Sequence, residues 1–396
     1  MIFTQAWLTC WLLHRVVGIV VTGVKRNVIY IASVVLITLA TGYSLNVSIL
    51  IPDIFVTIAF LCLLVLLYSK ELSRIQTVFV SLIFVLSICM HNSNLPIFFL
   101  LFIGLGLHYF LRRRKRKEVQ LQFYRLVLAS GLYGLALLII PTVNYSYDGE
   151  FRYSKGSHVF LFNHMVEIGA AKAYLDDNCG KKNYAICQYK DELNWNFMWD
   201  YSGPLYKTGG WEKNKKDFDE INGGIISTPK YWPLLIQKTT TYTTKQFFRF
   251  ETRLHTIQYN GTPHAQIRNF LPESDREFMS SKQLKGEYDL YVLNRIEGVI
   301  IFICMIICAL VLILDKRFQL LHGRLKALIS LSLIFGVVNS MVCANLSTVD
   351  DRFQNRWVWL LVVLTILIFI DLYTKRAIIS EQWKKLQSED ASEQSN

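Results

Sequence analysis

Three polar clusters beside long apolar runs carry residue types that could do chemistry. Asp53 follows Pro52 at the start of one such run. A carboxylate at that depth is costly unless water or a cation satisfies it, and in a transfer reaction it can serve as the general base. The structural alternative is a helix N-terminal acid favoured by the helix dipole. His91, Asn92 and Asn94 form the second cluster, which reads equally as a solvated turn. The third is the run VDDRFQNRWVW, holding Asp350, Asp351, Arg352 and Arg356. Two arginines one helical turn apart share a face and could grip a phosphate through paired N–H donors. Asp350 and Asp351 could orient them or hold a divalent cation against that phosphate. In the competing reading the arginines, with Trp357 and Trp359, only anchor a helix at its proper depth.

These clusters need elements to position them, and composition says which. Of 396 residues, 52% are hydrophobic and only 18% charged, where a soluble domain carries about a quarter. The chain reads as an all-α polytopic membrane protein with about nine transmembrane helices. They are expected near 2–23, 27–45, 54–69, 77–90, 95–111, 125–143, 297–314, 327–346 and 357–373. The net charge of +12 does not point to nucleic acid, because the cations sit beside apolar segments. Lys25 and Arg26, Lys70 and Arg74, the basic run 112–117, the group from Lys316 to Lys326, and Lys375 to Lys385 all fall on one side. By the positive-inside rule that side is cytoplasmic, and the C-terminus with it. The opposite short loops hold only Arg352 and Arg356 as cations, so those two need a compensating partner.

The same count leaves Met1 outside. With no positive n-region and with Arg15 in mid-span, the expectation is a chain whose opening segment is absent. Alternatively the first span stops near Arg15 and 16–24 lies on the cytoplasmic surface. Mid-span polar residues are few, chiefly Arg15 and Asn339, which speaks against transport.

Residues 144–296 form one large extracytoplasmic, α-rich domain by this reading, since so long a polar stretch rich in aromatics buries a small core. Within it, 157–175 is expected as a helix along the membrane surface with Ser157 as N-cap. Residues 195–211 read as loop and 231–257 as a second amphipathic stretch. Residues 374–396 make a cytoplasmic tail, disordered after 386. Six of the eight cysteines lie in apolar spans as small core residues. Cys179 and Cys187 lie in the polar domain, where they either close a short disulfide loop or stay as two thiols. No second pair of soft ligands stands at finger spacing, so no zinc site is expected.

Taken in order, Pro52-Asp53-Ile54-Phe55, MHNSNLP, SHVFLFNHMVEIG, CGKKNYAIC, WDYSGPLYKTGGW and DRFQNRW resemble a group of bacterial integral membrane proteins similar to the GT-C class of glycosyltransferases. The resemblance spans most of the chain, and its specificity lies in the order of the motifs. It implies a polyprenyl-phosphate-linked sugar as donor, a glycan or lipid acceptor, and a site at the outer face of the bacterial cytoplasmic membrane. That class usually keeps its catalytic acid in the first outside loop. This chain begins beyond that loop, which implies a shortened relative or one that has lost the chemistry. Asp53 is then the remaining base candidate. Arg352 and Arg356 would hold the phosphate, with Asp351 beside them to orient them or hold a cation against it, and His91, His158 or Asp200 could line the acceptor side. Membrane lipids are the other expected partner. No organic cofactor is implied, and a divalent cation is the one inorganic option. Competing readings are an O-antigen polymerase or ligase, and a non-catalytic membrane assembly or transport component.

Overall fold

The computed structural model describes residues 2–70, 72–115, 120–253 and 262–393, with side chains given outside 262–263 and 377–393. Largely apolar sequence makes six of the first seven helices, the short α3 being the exception: α1 (Ile2–Val20), α2 (Val24–Ala40), α3 (Tyr43–Ser48), α4 (Ile54–Tyr68), α5 (Arg74–Met90), α6 (Asn94–Arg114) and α7 (Phe123–Asp148). The polar stretch that follows breaks into shorter pieces: α8 (Ser157–Glu167), α9 (Ala170–Asn178), α10 (Pro204–Lys207), α11 (Gly210–Lys213), α12 (Lys215–Ser227), α13 (Trp232–Phe247), α14 (Thr262–Phe270), α15 (Asp275–Ser280) and α16 (Lys282–Lys285). Three long helices close the chain: α17 (Tyr291–Phe318), α18 (Gly323–Leu346) and α19 (Arg352–Glu393). No strand occurs among the described residues.

This is an all-α membrane protein. Five helices are long and apolar enough to cross a bilayer: α6, α7, α17, α18 and the Arg352–Arg376 part of α19. α4 and α5 are apolar but only 15 and 17 residues long, short of the roughly 20 that a straight crossing needs. α4 is apolar on every side and buried along its whole length, as a helix without a polar face must be. It packs against α1, α5, α7 and α19, and Phe60 stacks on Phe335 of α18 at 4.0 Å between ring centres.

The expected span 27–45 is interrupted. α2 ends at Ala40, and α3 starts anew after Gly42, whose backbone N–H donates to Glu297 Oε1 at 2.9 Å. The chain comes so close here that a Cβ on Gly42 would lie 1.7 Å from Thr252 Oγ1. The anchoring role expected of Trp357 and Trp359 is also overturned, because both are fully buried inside the bundle. Their indole N–H groups are satisfied there, by Gln354 Oε1 at 2.7 Å and the Arg356 carbonyl at 2.9 Å, and so have no need of an interface. At the other end, α19 continues through Glu393 instead of fraying after 386. Glu, Gln, Lys and Ala are all good helix formers, which offsets the polar composition there. Residues 394–396 of the expected disordered tail lie outside the described residues.

The helices α8, α9 and α12 enclose a second core in which Phe162 stacks on Phe218 at 4.0 Å, with Leu175, Phe197 and Ile221 buried around them. The single helix expected over 157–175 is split, because Gly169 takes φ 80° between α8 and α9. Gly156, not Ser157, is the N-cap. Cys179 and Cys187 are bonded, with Cα atoms 5.7 Å apart, so the two-thiol alternative is set aside. Closing so short a loop is worth about 2–3 kcal/mol on the chain-entropy model. Reduction is therefore expected to lower the melting temperature of this layer by several degrees, and unreduced peptide mapping should recover the linked pair. Recovery of two alkylated thiols from unreduced protein would contradict this.

α13 lies along α18, where Asn345 Nδ2 donates to Thr243 Oγ1 at 3.1 Å. The amphipathic stretch expected at 231–257 is thus not a simple surface helix. Past α13 the chain dips into the end of the bundle, with Gln246 and Thr252 buried and Phe247 and Phe250 packed on the main core. Residues 254–257 of that stretch lie outside the described residues.

Candidate functional site

Each polar cluster singled out in the sequence lies at one end of the bundle, where α4, α6 and α19 begin and α18 ends. Arg356, in the first turns of α19, is buried to 2% exposure. Its Nη1 reaches Asp53 Oδ1 at 3.2 Å, while Nη2 donates to Asn339 Oδ1 and to Cys343 Sγ at 3.2 Å, both on α18. Asn339 in turn donates to the Phe353 carbonyl at 2.6 Å and to Gln354 Oε1 at 2.7 Å. Both terminal nitrogens of the guanidinium are therefore engaged inside the protein, and its Nε is buried without a hydrogen-bond partner. Asp53, at the N-cap of α4, is 5% exposed and uses its carboxylate on Arg356 and not on a capping bond.

His91 completes this group from the turn between α5 and α6. Its Nε2 lies 3.8 Å from Asp53 Oδ1, and its Nδ1 lies 2.8 Å from Ser93 Oγ and accepts the Ser93 backbone N–H at 3.2 Å. Burial first, and then the Arg356 charge, hold its pKa below the usual histidine value, so the ring is neutral at pH 7. A cavity of about 390 Å³ opens beside the same turn, lined by Asn92, Asn144, Tyr153, Ser154 and Lys155 among others.

Arg352 goes the other way. Its side chain is 38% exposed, 4.0 Å from Asp350 and stacked on Phe353. Asp351 is buried and is met by two arginines that the sequence reading passed over, Arg249 Nη2 at 3.2 Å and Arg253 Nε at 3.0 Å. Both come from the chain after α13, held in place where Gln246 exchanges two hydrogen bonds with the backbone of Asp350, at 2.8 and 2.9 Å. A signal for them existed. Arg249-Phe250-Glu251-Thr252-Arg253 repeats the spacing of Arg352-Phe353-Gln354-Asn355-Arg356. Beneath lies Glu297, which accepts from Gly42 N, from Thr252 Oγ1 at 2.7 Å and from Asn355 Nδ2 at 3.2 Å.

No family model matches the chain, and no curated protein or solved structure is significantly similar to it. The geometry alone carries the functional argument.

His158 and Asp200 have their contacts elsewhere. His158 is buried with Nε2 2.7 Å from the Trp211 carbonyl, and Asp200 accepts from Ser202 N at 3.0 Å and Ser202 Oγ at 2.7 Å in a local turn. Neither touches Asp53, His91 or the arginines among the described residues. No group of three or more metal-binding side chains occurs among the described residues either.

The polar layer carries a titratable group of its own. His164 on α8 is buried, and burial lowers its pKa from 6.5 to about 4. Unfolded, it takes a proton near 6.5; folded, only near 4. The unfolded chain thus binds more protons between those values, and acid weakens the fold through that window by up to about 1.4 kcal/mol per pH unit. Glu167, raised by burial, works in the opposite sense. His164→Gln is expected to flatten the dependence of melting temperature on pH between 6.5 and 4. An unchanged slope would show that this histidine is not its source.

Proposed function

We propose that the chain is a membrane glycosyltransferase-like protein that uses a polyprenyl-phosphate-linked sugar and passes the sugar to a glycan or lipid acceptor. The observation that carries this reading is the set of arginines over Asp351. The carboxylate is 2% exposed, whereas the Arg249, Arg253 and Arg352 side chains are 43%, 53% and 38% exposed, so cations face the ligand side. Glu251 lies 3.3 Å from Arg253 and Asp350 4.0 Å from Arg352. Such exposed pairs are worth about 1 kcal/mol at most and yield to a phosphate that offers bidentate bonds.

In this reading the arginines hold the donor phosphate. The acceptor hydroxyl takes the place of Ser93 Oγ on His91 Nδ1 and gives that nitrogen its proton, with Asp53 facing the Nε2–H, while the acceptor oxygen bonds to the anomeric carbon and polyprenyl phosphate leaves with the bonding electron pair. The charge it gains is met by the guanidiniums. The basic residues at the far end of the bundle support placing that end in the cytoplasm and residues 144–296 outside, with α1 to α5 completing the crossings and the protein in a bacterial inner membrane.

One observation favours a second, non-catalytic reading: Asp53 is sealed under Arg356, as a structural staple would be. An assay separates the two. Protein in vesicles supplied with a glycan or lipid acceptor should release polyprenyl phosphate from a polyprenyl-phosphate sugar, His91→Gln should slow release about 100-fold with the fold intact, and Lys213 and Lys115 positions should label from opposite sides. His91→Gln turning over at full rate would leave only the staple.

A further inference from the structure

α6 runs from Asn94 beside the arginine site to Arg112 at the far end of the bundle, and a second, larger cavity opens at that far end between α6, α17 and α18. Its volume is about 1120 Å³, just above the range of ordinary small-ligand sites. Its walls are mainly apolar, with Leu101 and Leu105 from α6, Leu312 and Ile313 from α17, and Leu331 and Ile334 from α18, and with His108 and Ser330 as polar members. Gly104 lies in the wall, and a Cβ placed there would meet nothing within 4 Å, so the missing side chain adds open width.

The mouth is polar and one-signed. Arg112, Lys316 and Lys326 stand there against a single acid among the described lining residues, Asp315. That acid is buried and already committed, accepting the Leu321 backbone N–H at 2.7 Å and pairing with Lys326. Among the described lining residues three cations thus outnumber one acid above a slot of hydrocarbon. From Leu101 to Arg112 the α6 rise is about 16 Å at 1.5 Å per residue, close to one leaflet of a bilayer core of roughly 30 Å. Depth, wall chemistry and mouth charge together match an acyl chain topped by an anion.

We propose that this cavity holds one anionic glycerophospholipid of the surrounding bilayer, with an acyl chain along Gly104 and its phosphate between Arg112 and Lys316. The site is separate from the arginine cluster at the other end and does not depend on the sugar-transfer reading. A lipid seated there fills the space between α17 and α18 and ties α6 to both.

The test reconstitutes the full chain in nanodiscs of equal phosphatidylglycerol and phosphatidylcholine, extracts it into mild detergent, and counts retained lipid by native mass spectrometry. One phosphatidylglycerol per chain is expected. Arg112→Gln with Lys316→Gln should lower the preference over phosphatidylcholine by about fivefold for each cation removed. Gly104→Phe should abolish retention of the lipid while the melting temperature of the detergent-extracted protein is kept, because the ring enters open space. Equal retention of phosphatidylcholine, displacement of the lipid by inorganic phosphate alone, or full retention in Gly104→Phe would overturn the proposal.

Discussion

Replacing Arg356 by Met, or Asp53 by Leu, is expected to cost about 3–5 kcal/mol each, because either change leaves one charge buried without its partner. Arg356 is 2% exposed and Asp53 5%, and the bond between them at 3.2 Å joins α4 to α19 across 303 residues of sequence. A loss of that size is a large share of the stability of any domain, so the single variants should melt far lower or fail to accumulate in the membrane. The double variant should recover most of the loss, since an apolar pair of similar volume removes both desolvation costs at once. Arg356→Lys should behave like the single variants, because one ammonium cannot reach Asp53, Asn339 and Cys343 together. Single variants as stable as the parent protein would show that the pair does not hold these helices.

The second large effect is expected at Glu297. Its carboxylate is 1% exposed and accepts from Gly42 N, Thr252 Oγ1 and Asn355 Nδ2, joining the α2–α3 break, the chain after α13, and α19. Glu297→Ala would strand those donors and open a cavity, for a cost of about 3–5 kcal/mol. The first segment to loosen should be 246–253, because Thr252 loses the Glu297 acceptor of its hydroxyl and Asn355, which also donates to Phe250 and Thr252, loses its anchor. Hydrogen exchange should therefore show protection lost over 246–253 in Glu297→Ala, and lost less in Glu297→Gln, which keeps one acceptor oxygen. Unchanged protection in both would mean that the segment is held without Glu297, by its bonds to Asp350, Asp351 and Asn294.

What the sequence disclosed, and what it concealed, follows from how local each signal is. The long apolar helices such as α17 and α18 were legible because continuous hydrophobic length is written in adjacent residues. The Cys179–Cys187 bridge was legible as one of two alternatives, since the pair lies eight positions apart. The fate of Arg356 was not, because its partners Asp53 and Asn339 lie 303 and 17 residues away and no periodicity reports them. Arg352 and Arg356 share a helix face in the sequence, yet one turns inward to a buried acid and the other stays at the surface. Trp357 and Trp359 followed the statistics of interfacial aromatics, and internal acceptors overrode those statistics. Arg249 and Arg253 were hidden by the polar composition around them, although their spacing repeats that of the α19 pair.

The most direct test of the phosphate site is the affinity of the purified protein for a polyprenyl phosphate, compared among the parent chain, Arg249→Lys and Arg352→Lys. Both substitutions keep the charge and remove the planar fork, and both positions are exposed enough to leave the fold intact. Each lost bidentate contact is worth on the order of 1.5–3 kcal/mol, or roughly ten- to a hundredfold in affinity. Weakening of that size in both variants, with the melting temperature unchanged, is the predicted result. Parent-like affinity in both would contradict a phosphate site at these arginines.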